Sequence, residues 1–76
     1  MRHEGWIPVG QLVIDRMPLN PATLSCANAI LEGVEMPPIK VQALPDGRWK
    51  VRDGRHRAVA HKLTGKARIL AKWGTR

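Results

Sequence analysis

The 76-residue sequence has no tyrosine, no phenylalanine and a single cysteine, Cys26. A lone cysteine cannot close an intramolecular disulfide, whereas small secreted domains usually carry several. No apolar run approaches the roughly 20 residues that cross a bilayer, and residues 1–5 lead into no secretory apolar segment. We therefore expect a soluble protein of a reducing compartment, cytoplasmic in location and without a membrane partner.

The chain is also too short for two hydrophobic cores. At 76 residues, burial only narrowly outweighs the conformational entropy lost on folding, so we expect residues 1–76 to form one domain. The apolar fraction of 43% and the charged fraction of 25% are typical of globular proteins and argue against disordered and fibrous classes.

Acidic residues are scarce, with six Asp or Glu against 13 Lys or Arg, and the imbalance lies in one half of the chain. Residues 48–76 carry ten Lys or Arg and one acid, Asp53. Residues 1–47 carry three Lys or Arg and five Asp or Glu. A basic region attracts polyanions through its long-range potential and through counterion release, which favours nucleotides or nucleic acid as partners. A merely solvated basic face is the alternative.

Two apolar stretches near the N-terminus, residues 6–9 and 12–14, predict short extended segments. Pro8 has no backbone N–H to donate, which favours a strand at the edge of a sheet. An exposed edge strand near Trp6 would also allow strand pairing in a homodimer.

Asn20 followed by Pro21 is typical of a helix N-terminus, because Asn caps free N–H groups and Pro suits the first helical position. We predict a helix over residues 22–32 that ends at Gly33. Four apolar residues at helical spacing are expected to face the core: Leu24, Ala27, Ile30 and Leu31.

Residues 39–44 and 48–52 each alternate between apolar and polar positions, and turn-forming residues 45–47 separate them. This pattern predicts a β-hairpin whose outer face is basic. The candidates for nucleic-acid contact are Arg48, Lys50, Arg52 and, further along the chain, Lys62.

The sequence contains three tryptophans, which we expect in the core because a chain this small needs large apolar side chains there: Trp6, Trp49 and Trp73. Trp49 and Trp73 have basic neighbours, which leaves base stacking on single-stranded nucleic acid as an alternative role for them.

The second hairpin strand runs into a predicted helix over residues 55–64, which ends at Gly65, and a last strand is predicted over residues 67–73. The expected core residues of this helix are Ala58, Val59, Ala60 and Leu63. Together the elements predict an α+β fold, with a small mixed sheet, a β-hairpin and two main helices.

The turn before this helix concentrates candidate binding residues, namely Gly54, Arg55, His56 and Arg57. The first N–H groups of a helix lack internal partners and carry partial positive charge, so cations placed there favour a bound anion such as phosphate. Glycine permits close approach of the backbone, and an Arg side chain can bind two phosphate oxygens. Asp53 is expected to support the turn by capping the helix or by pairing with an arginine. It has no neighbouring carboxylate, and we predict no metal site.

Residues 36–41 and 47–58 resemble the P-I-x-V strand, the D-G hairpin and the G-x-[HR]-R turn of the ParB/sulfiredoxin family. The order of elements agrees over nearly the whole chain, as in a stand-alone ParB N-terminal-like domain. The resemblance implies a ParB/sulfiredoxin-like fold with a phosphate-binding turn.

In sulfiredoxins the corresponding turn reads G-C-H-R, and its cysteine is the nucleophile. Arg55 stands at that position here, so the resemblance implies that His56 and Arg57 keep a phosphate-binding role without sulfiredoxin reductase activity. Cys26 lies on the earlier helix and is expected to be a small packing residue.

In ParB proteins the turn reads G-E-R-R-x-R-A and holds the triphosphate of CTP. Gly54, Arg57 and Ala60 match it, whereas Arg55 replaces the glutamate implicated in hydrolysis, His56 replaces an arginine and Val59 replaces the last arginine. The resemblance thus implies binding of CTP or ATP with Mg²⁺, and weak or absent hydrolysis. The helix-turn-helix of ParB does not occur in the 76 residues, so we do not expect sequence-specific centromere binding.

Three further residues are secondary candidates for the nucleotide site, each with a simpler alternative. Lys40 falls where family members approach the base, but a strand lysine is often only solvated. Thr23 could contact phosphate or simply support the first helix. His61 follows Arg57 by one helical turn and either faces the same ligand or packs.

The leading hypothesis is a nucleotide-binding module that uses residues 53–57. One alternative is a DNA-binding ParB-like protein with weak nuclease activity, which would act through its basic half. Another is a non-catalytic regulatory protein of plasmid or phage type that binds a protein partner. The sequence leaves open whether the chain is an enzyme.

Overall fold

The secondary-structure elements agree closely with the predicted ones. A computed structural model describes residues 2–15 and 20–74, and Met1, residues 16–19 and residues 75–76 lie outside that description. In chain order the elements are β1 (Arg2–Pro8), a 3₁₀ turn (Val9–Gln11), β2 (Leu12–Val13), α1 (Pro21–Leu31), β3 (Ile39–Ala43), β4 (Trp49–Asp53), α2 (Arg55–Leu63) and β5 (Arg68–Gly74).

The five strands form one mixed sheet in the order β1-β5-β3-β4-β2. β1 pairs antiparallel with β5 along its whole length, from Arg2 opposite Gly74 to Pro8 opposite Arg68. β5 runs parallel to β3, β3 and β4 form the antiparallel hairpin, and β2 runs parallel to β4. The α+β class is confirmed, and Pro8 lies on an edge strand as predicted.

Helix α1 begins as the sequence predicts, because the Asn20 side chain accepts a hydrogen bond from the Thr23 amide at 3.2 Å. Ala27 and Ile30 are buried against α2. Leu24 and Leu31, however, are 57% and 69% exposed, so their predicted core positions are wrong. Their exposure follows from the packing of α1, which lies mainly against α2 and therefore buries only one narrow stripe.

The main core lies between the sheet and α2. Alternate strand residues such as Ile39 and Ile69 point toward the helix and are almost completely buried, and Ala58 packs against them. Each buried Val or Ile contributes about 1.5–3 kcal/mol to folding. Leu63 was expected in this core but is 53% exposed, because it is the last residue of α2.

The three tryptophans do not share one environment. Trp49 and Trp73 are partly buried at the margin of the main core, with ring centroids 4.8 Å apart. Trp6 is 65% exposed, so its predicted core position is wrong. Trp6 lies opposite Leu70 on the edge strand, and its neighbour Ile7 takes the inward position.

None of the helices in residues 2–15 and 20–74 is both long and apolar enough to cross a membrane.

Candidate functional site

Gly54 joins β4 to α2 in a conformation that only glycine adopts easily. Its φ angle is 94°, in the left-handed region, and it is the N-cap of α2. A Cβ atom at this position would lie 2.6 Å from Ile39 Cγ2. The turn therefore needs glycine twice, for its backbone angle and for its close packing on β3.

The backbone after Gly54 presents free donors. The first hydrogen bond of α2 runs from the Ala58 amide to the Gly54 carbonyl at 2.9 Å. The amides of residues 55–57 precede that bond, and the N-cap residue, Gly54, has no side chain to cap them. The first turn also contains no acidic residue, so the partial positive charge of the helix end is not neutralised from within it.

His56 connects this turn to the start of α1. Its Nδ1 atom lies 2.9 Å from Thr23 Oγ1, which is fully buried with its residue and also lies 3.4 Å from Asn20 Oδ1. The hydrogen bond holds the imidazole against α1 and brings the N-terminal ends of both helices together. The partial positive charges of two helices thus converge near His56.

Arg57 is held from the opposite side. Its Nη1 atom donates to the Pro37 carbonyl at 2.9 Å and lies 3.3 Å from the Pro38 carbonyl. Its Nη2 atom lies 3.0 Å from the point where a Cβ on Gly54 would be. The guanidinium group therefore lies beneath the turn and fixes the segment that leads into β3.

Arg55 and Asp53 point into solvent. Among the described residues, neither side chain makes a hydrogen bond or an ion pair. Asp53 stays in β4, in register with Lys40, and makes neither of the two contacts predicted for it. Gly54 occupies the N-cap position instead, so Asp53 is one residue too early to cap α2.

Three solved structures share this arrangement of strands and helices. The C-terminally truncated chromosome-partitioning protein ParB from Caulobacter crescentus, complexed with CTP-gamma-S, matches with a TM-score of 0.80 and 20% identity over 97% of this chain and 45% of that chain. Sulfiredoxin from Arabidopsis thaliana matches with a TM-score of 0.77 and 22% identity, over 97% of this chain and 86% of the sulfiredoxin chain. The truncated Caulobacter ParB complexed to the centromeric parS site matches with a TM-score of 0.72 and 22% identity, over 86% of this chain and 37% of that chain.

This chain has the ParB/sulfiredoxin-like fold. The resemblance drawn from the sequence is confirmed at the level of the fold. The chain spans 45% of the ParB bound to CTP-gamma-S. No protein-family model and no curated protein sequence matches it. At identities of 22% or less the matches establish the fold alone, so the chemistry of the turn rests on its own residues.

Two of the secondary candidates lie away from the turn of this ParB/sulfiredoxin-like fold. Ile39 contacts Gly54, so the next residue, Lys40, projects from the opposite face of β3. His61 is 8% exposed and its Nδ1 lies 2.7 Å from the Arg57 carbonyl. A carbonyl can only accept, so His61 Nδ1 carries the proton and the side chain has the packing role.

Three of the four basic residues proposed for nucleic-acid contact lie within residues 48–52, and of these Arg52 is exposed on β4 while the other two are in ion pairs. Arg48 binds Asp46 at 2.7 Å at the hairpin turn, and Lys50 lies 3.7 Å from Asp15. Hydrogen bonds from the Arg48 amide and side chain hold the pKa of Asp46 below its ordinary value. Lys62 is exposed on α2, remote in sequence from the hairpin. No group of three metal-ligating side chains occurs in the described part of the chain.

The sequence did not reveal how residues 37–39 support the turn. The Pro37 and Pro38 carbonyls receive Arg57, and Ile39 packs beneath Gly54. The consecutive prolines Pro37 and Pro38 indicated a fixed backbone conformation. No local sequence pattern, however, indicated that α2 packs against this segment.

Proposed function

We propose that the chain binds the phosphates of a nucleoside triphosphate, CTP or ATP, at the turn between β4 and α2. The observation that carries this proposal is the set of free amides at residues 55–57, beside two arginines and a histidine, with no acidic residue in the first helical turn. Without an anion, each cation there would cost about 0.3–1 kcal/mol through the helix dipole. A bound phosphate would reverse that cost.

The residues divide into two roles. The amides, the exposed Arg55 side chain and the Nε2 atom of His56 bind phosphate oxygens, because these donors have no internal hydrogen bond within the described residues. Arg57 positions the turn through Pro37 and Pro38, and its Nη2 atom remains available to an anion. The fold shared with a ParB that is complexed with CTP-gamma-S supports CTP as the first nucleotide to test.

The turn offers little for catalysis. Arg55 is neither a nucleophile nor a base at neutral pH, since guanidinium does not lose its proton. Asp53 is the single acid in residues 48–76, so Mg²⁺ would be held mainly by the phosphates and by water. We therefore expect nucleotide binding with hydrolysis that is slow or absent.

Calorimetric titration of CTP, ATP and GTP, each with Mg²⁺, tests the proposal. Arg55→Ala should weaken triphosphate binding about tenfold or more, because it removes charge-assisted hydrogen bonds. Arg48→Ala is the matched control, since it removes the same charge from the hairpin turn. The proposal fails if no nucleotide binds at millimolar concentration, or if both variants lose affinity equally.

A further inference from the structure

The sheet has a second face, which points away from the core packed against α2. Along each strand, residues that alternate with the buried ones point away from α2. Lys40 follows buried Ile39, and Lys72 follows buried Ala71. We call this surface the open face. Its charged strand residues are the cations Arg2, Lys40, Lys50, Arg52, Arg68 and Lys72, and the acids Glu4 and Asp53, the latter opposite Lys40 because the β3–β4 register shifts there.

Two lysines lie side by side at the centre of the open face. Lys40 and Lys72 are direct partners in the parallel β3–β5 ladder. Like charges opposite each other in a sheet are destabilising. Although Glu4 and Asp53 flank the pair in register, none of the ion pairs among the described residues involves either lysine. A bound anion would offset the repulsion between Lys40 and Lys72.

A cleft of about 320 Å³ lies beside these lysines. Arg2, Lys40 and Lys72 line it together with Trp73, Val41 and Gly74. Three cations around one concave space form a positive potential that attracts phosphate groups. The volume is at the lower end of that of small-ligand sites.

The open face also carries the exposed Trp6. Trp6 and Glu4 alternate with inward residues on β1, so the indole lies on the same side of the sheet as Lys72, the partner of Glu4. Beside it on β5, Leu70 separates Arg68 from Lys72, and Trp6, Leu70 and Arg68 also line a cleft of about 290 Å³ together with residues 33–37. An exposed aromatic ring flanked by cations is the usual arrangement on which unpaired bases stack.

We propose that the open face binds single-stranded nucleic acid. Lys40, Lys72 and Arg2 contact the phosphates, and Trp6 stacks on a base. The cations continue across four strands, from Arg2 on β1 to Lys50 on β4, which spans about 14 Å at 4.7–4.9 Å per strand. That length suits a polyanion better than one small anion. The surface is distinct from the turn at Gly54, which lies on the α2 side of the sheet.

The first test measures binding of a fluorescent oligothymidylate of about 12 nucleotides by anisotropy at two salt concentrations. Lys72→Ala should weaken binding about fivefold or more and lower the salt slope by about 0.7, because one phosphate contact is lost. Lys62→Ala removes the same charge from α2. Equal losses in the two variants would mean general charge attraction and would overturn the proposal. Lys40→Ala, at an exposed position, serves if Lys72→Ala does not fold.

The second test asks for stacking. Trp6→Ala should weaken oligothymidylate binding about tenfold while leaving the melting temperature nearly unchanged, since the side chain is largely exposed. Oligothymidylate should also quench tryptophan fluorescence in the wild type, and the quenching should be mostly lost in Trp6→Ala. Tighter binding of duplex than of single strand, an undiminished affinity of Trp6→Ala, or no binding by the wild type at low salt would each overturn the proposal.

Discussion

The two positive surfaces of this domain are built in different ways. At the turn, Gly54 packs on Ile39, and His56 and Arg57 are fixed by hydrogen bonds to Thr23 and Pro37. On the open face, long side chains stand on a regular sheet, and Lys40 and Lys72 make no ion pair within the described residues. The turn is therefore a preorganised site built from backbone amides, whereas the open face is a surface of flexible, positively charged side chains.

This difference explains why counting charges could not locate a function. The turn lies in the basic half of the chain, whereas the open face combines Arg2 and Lys40 from the other half with Lys72. A preorganised site selects one geometry, whereas flexible lysines attract any polyanion that fits their spacing. Variants of the residues that hold the turn in place, Gly54 and Arg57, should therefore alter stability and nucleotide binding together. Variants of the open face should alter nucleic-acid binding alone.

The largest expected effect comes from Gly54→Ala. The positive φ and the close contact with Ile39 should together cost about 3 kcal/mol in the free energy of unfolding, measured with urea. Gly33→Ala is the matched control, because Gly33 has φ 84° but open space around its Cβ position, so that only about 1 kcal/mol should be lost. Equal losses in the two variants would show that packing on Ile39 does not hold the turn.

The second effect separates the two arginines of the turn. Arg57→Ala should lower the free energy of unfolding by about 1.5 kcal/mol, because the Pro37 and Pro38 carbonyls lose their donor. Arg55→Ala should change it by less than about 0.5 kcal/mol, with a small gain expected from removing a cation at a helix N-terminus. A loss from Arg55→Ala as large as that from Arg57→Ala would contradict the division of roles.

A smaller effect is expected from Asn20→Ala, which removes the cap of α1 and should cost about 1 kcal/mol in thermal or urea unfolding. Because Thr23 links this cap to His56, CTP affinity should fall slightly, while oligothymidylate affinity should not change. Asn28→Ala, at an exposed position of the same helix, is the control and should not destabilise. Unchanged stability of Asn20→Ala would show that the Asn20 hydrogen bond does not stabilise the start of α1.

The smallest effect concerns pH. Hydrogen bonds from Arg48 lower the pKa of Asp46 below 3.8, so the pair contributes stability at neutral pH that is lost as the pH falls through the lowered pKa. Arg48→Ala removes the side-chain hydrogen bond but keeps the one from the backbone amide, so it should raise the Asp46 pKa only part of the way toward 3.8 in an NMR titration. Because both side chains are exposed, the change in overall stability should be slight. An Asp46 pKa that does not move would exclude the pairing in solution.

Local patterns were enough to predict the elements of this fold. Asn20 and Pro21 marked the start of α1, alternation marked the hairpin, and Gly54 marked the turn into α2. These features depend on residues within a few positions of each other, so the sequence carries them directly.

Contacts between distant residues could not be predicted in the same way. Thr23 meets His56 across 33 positions, and Arg57 reaches Pro37 across 20. Alternation showed that Lys40 and Ile39 face opposite ways, but only the pairing of β3 with β5 places Lys40 beside Lys72. The exposure of Trp6 likewise depends on which face of β1 the core occupies.

NMR chemical-shift mapping with ¹⁵N-labelled protein decides whether a nucleotide and a nucleic-acid strand bind on opposite faces of one sheet. CTP with Mg²⁺ should shift the amides of residues 54–58 and leave those of Lys40 and Lys72 in place, whereas oligothymidylate should shift Lys40, Lys72 and the Trp6 indole. If both ligands shift one common set of residues, they share one surface, and the assignment of two separate binding faces is wrong.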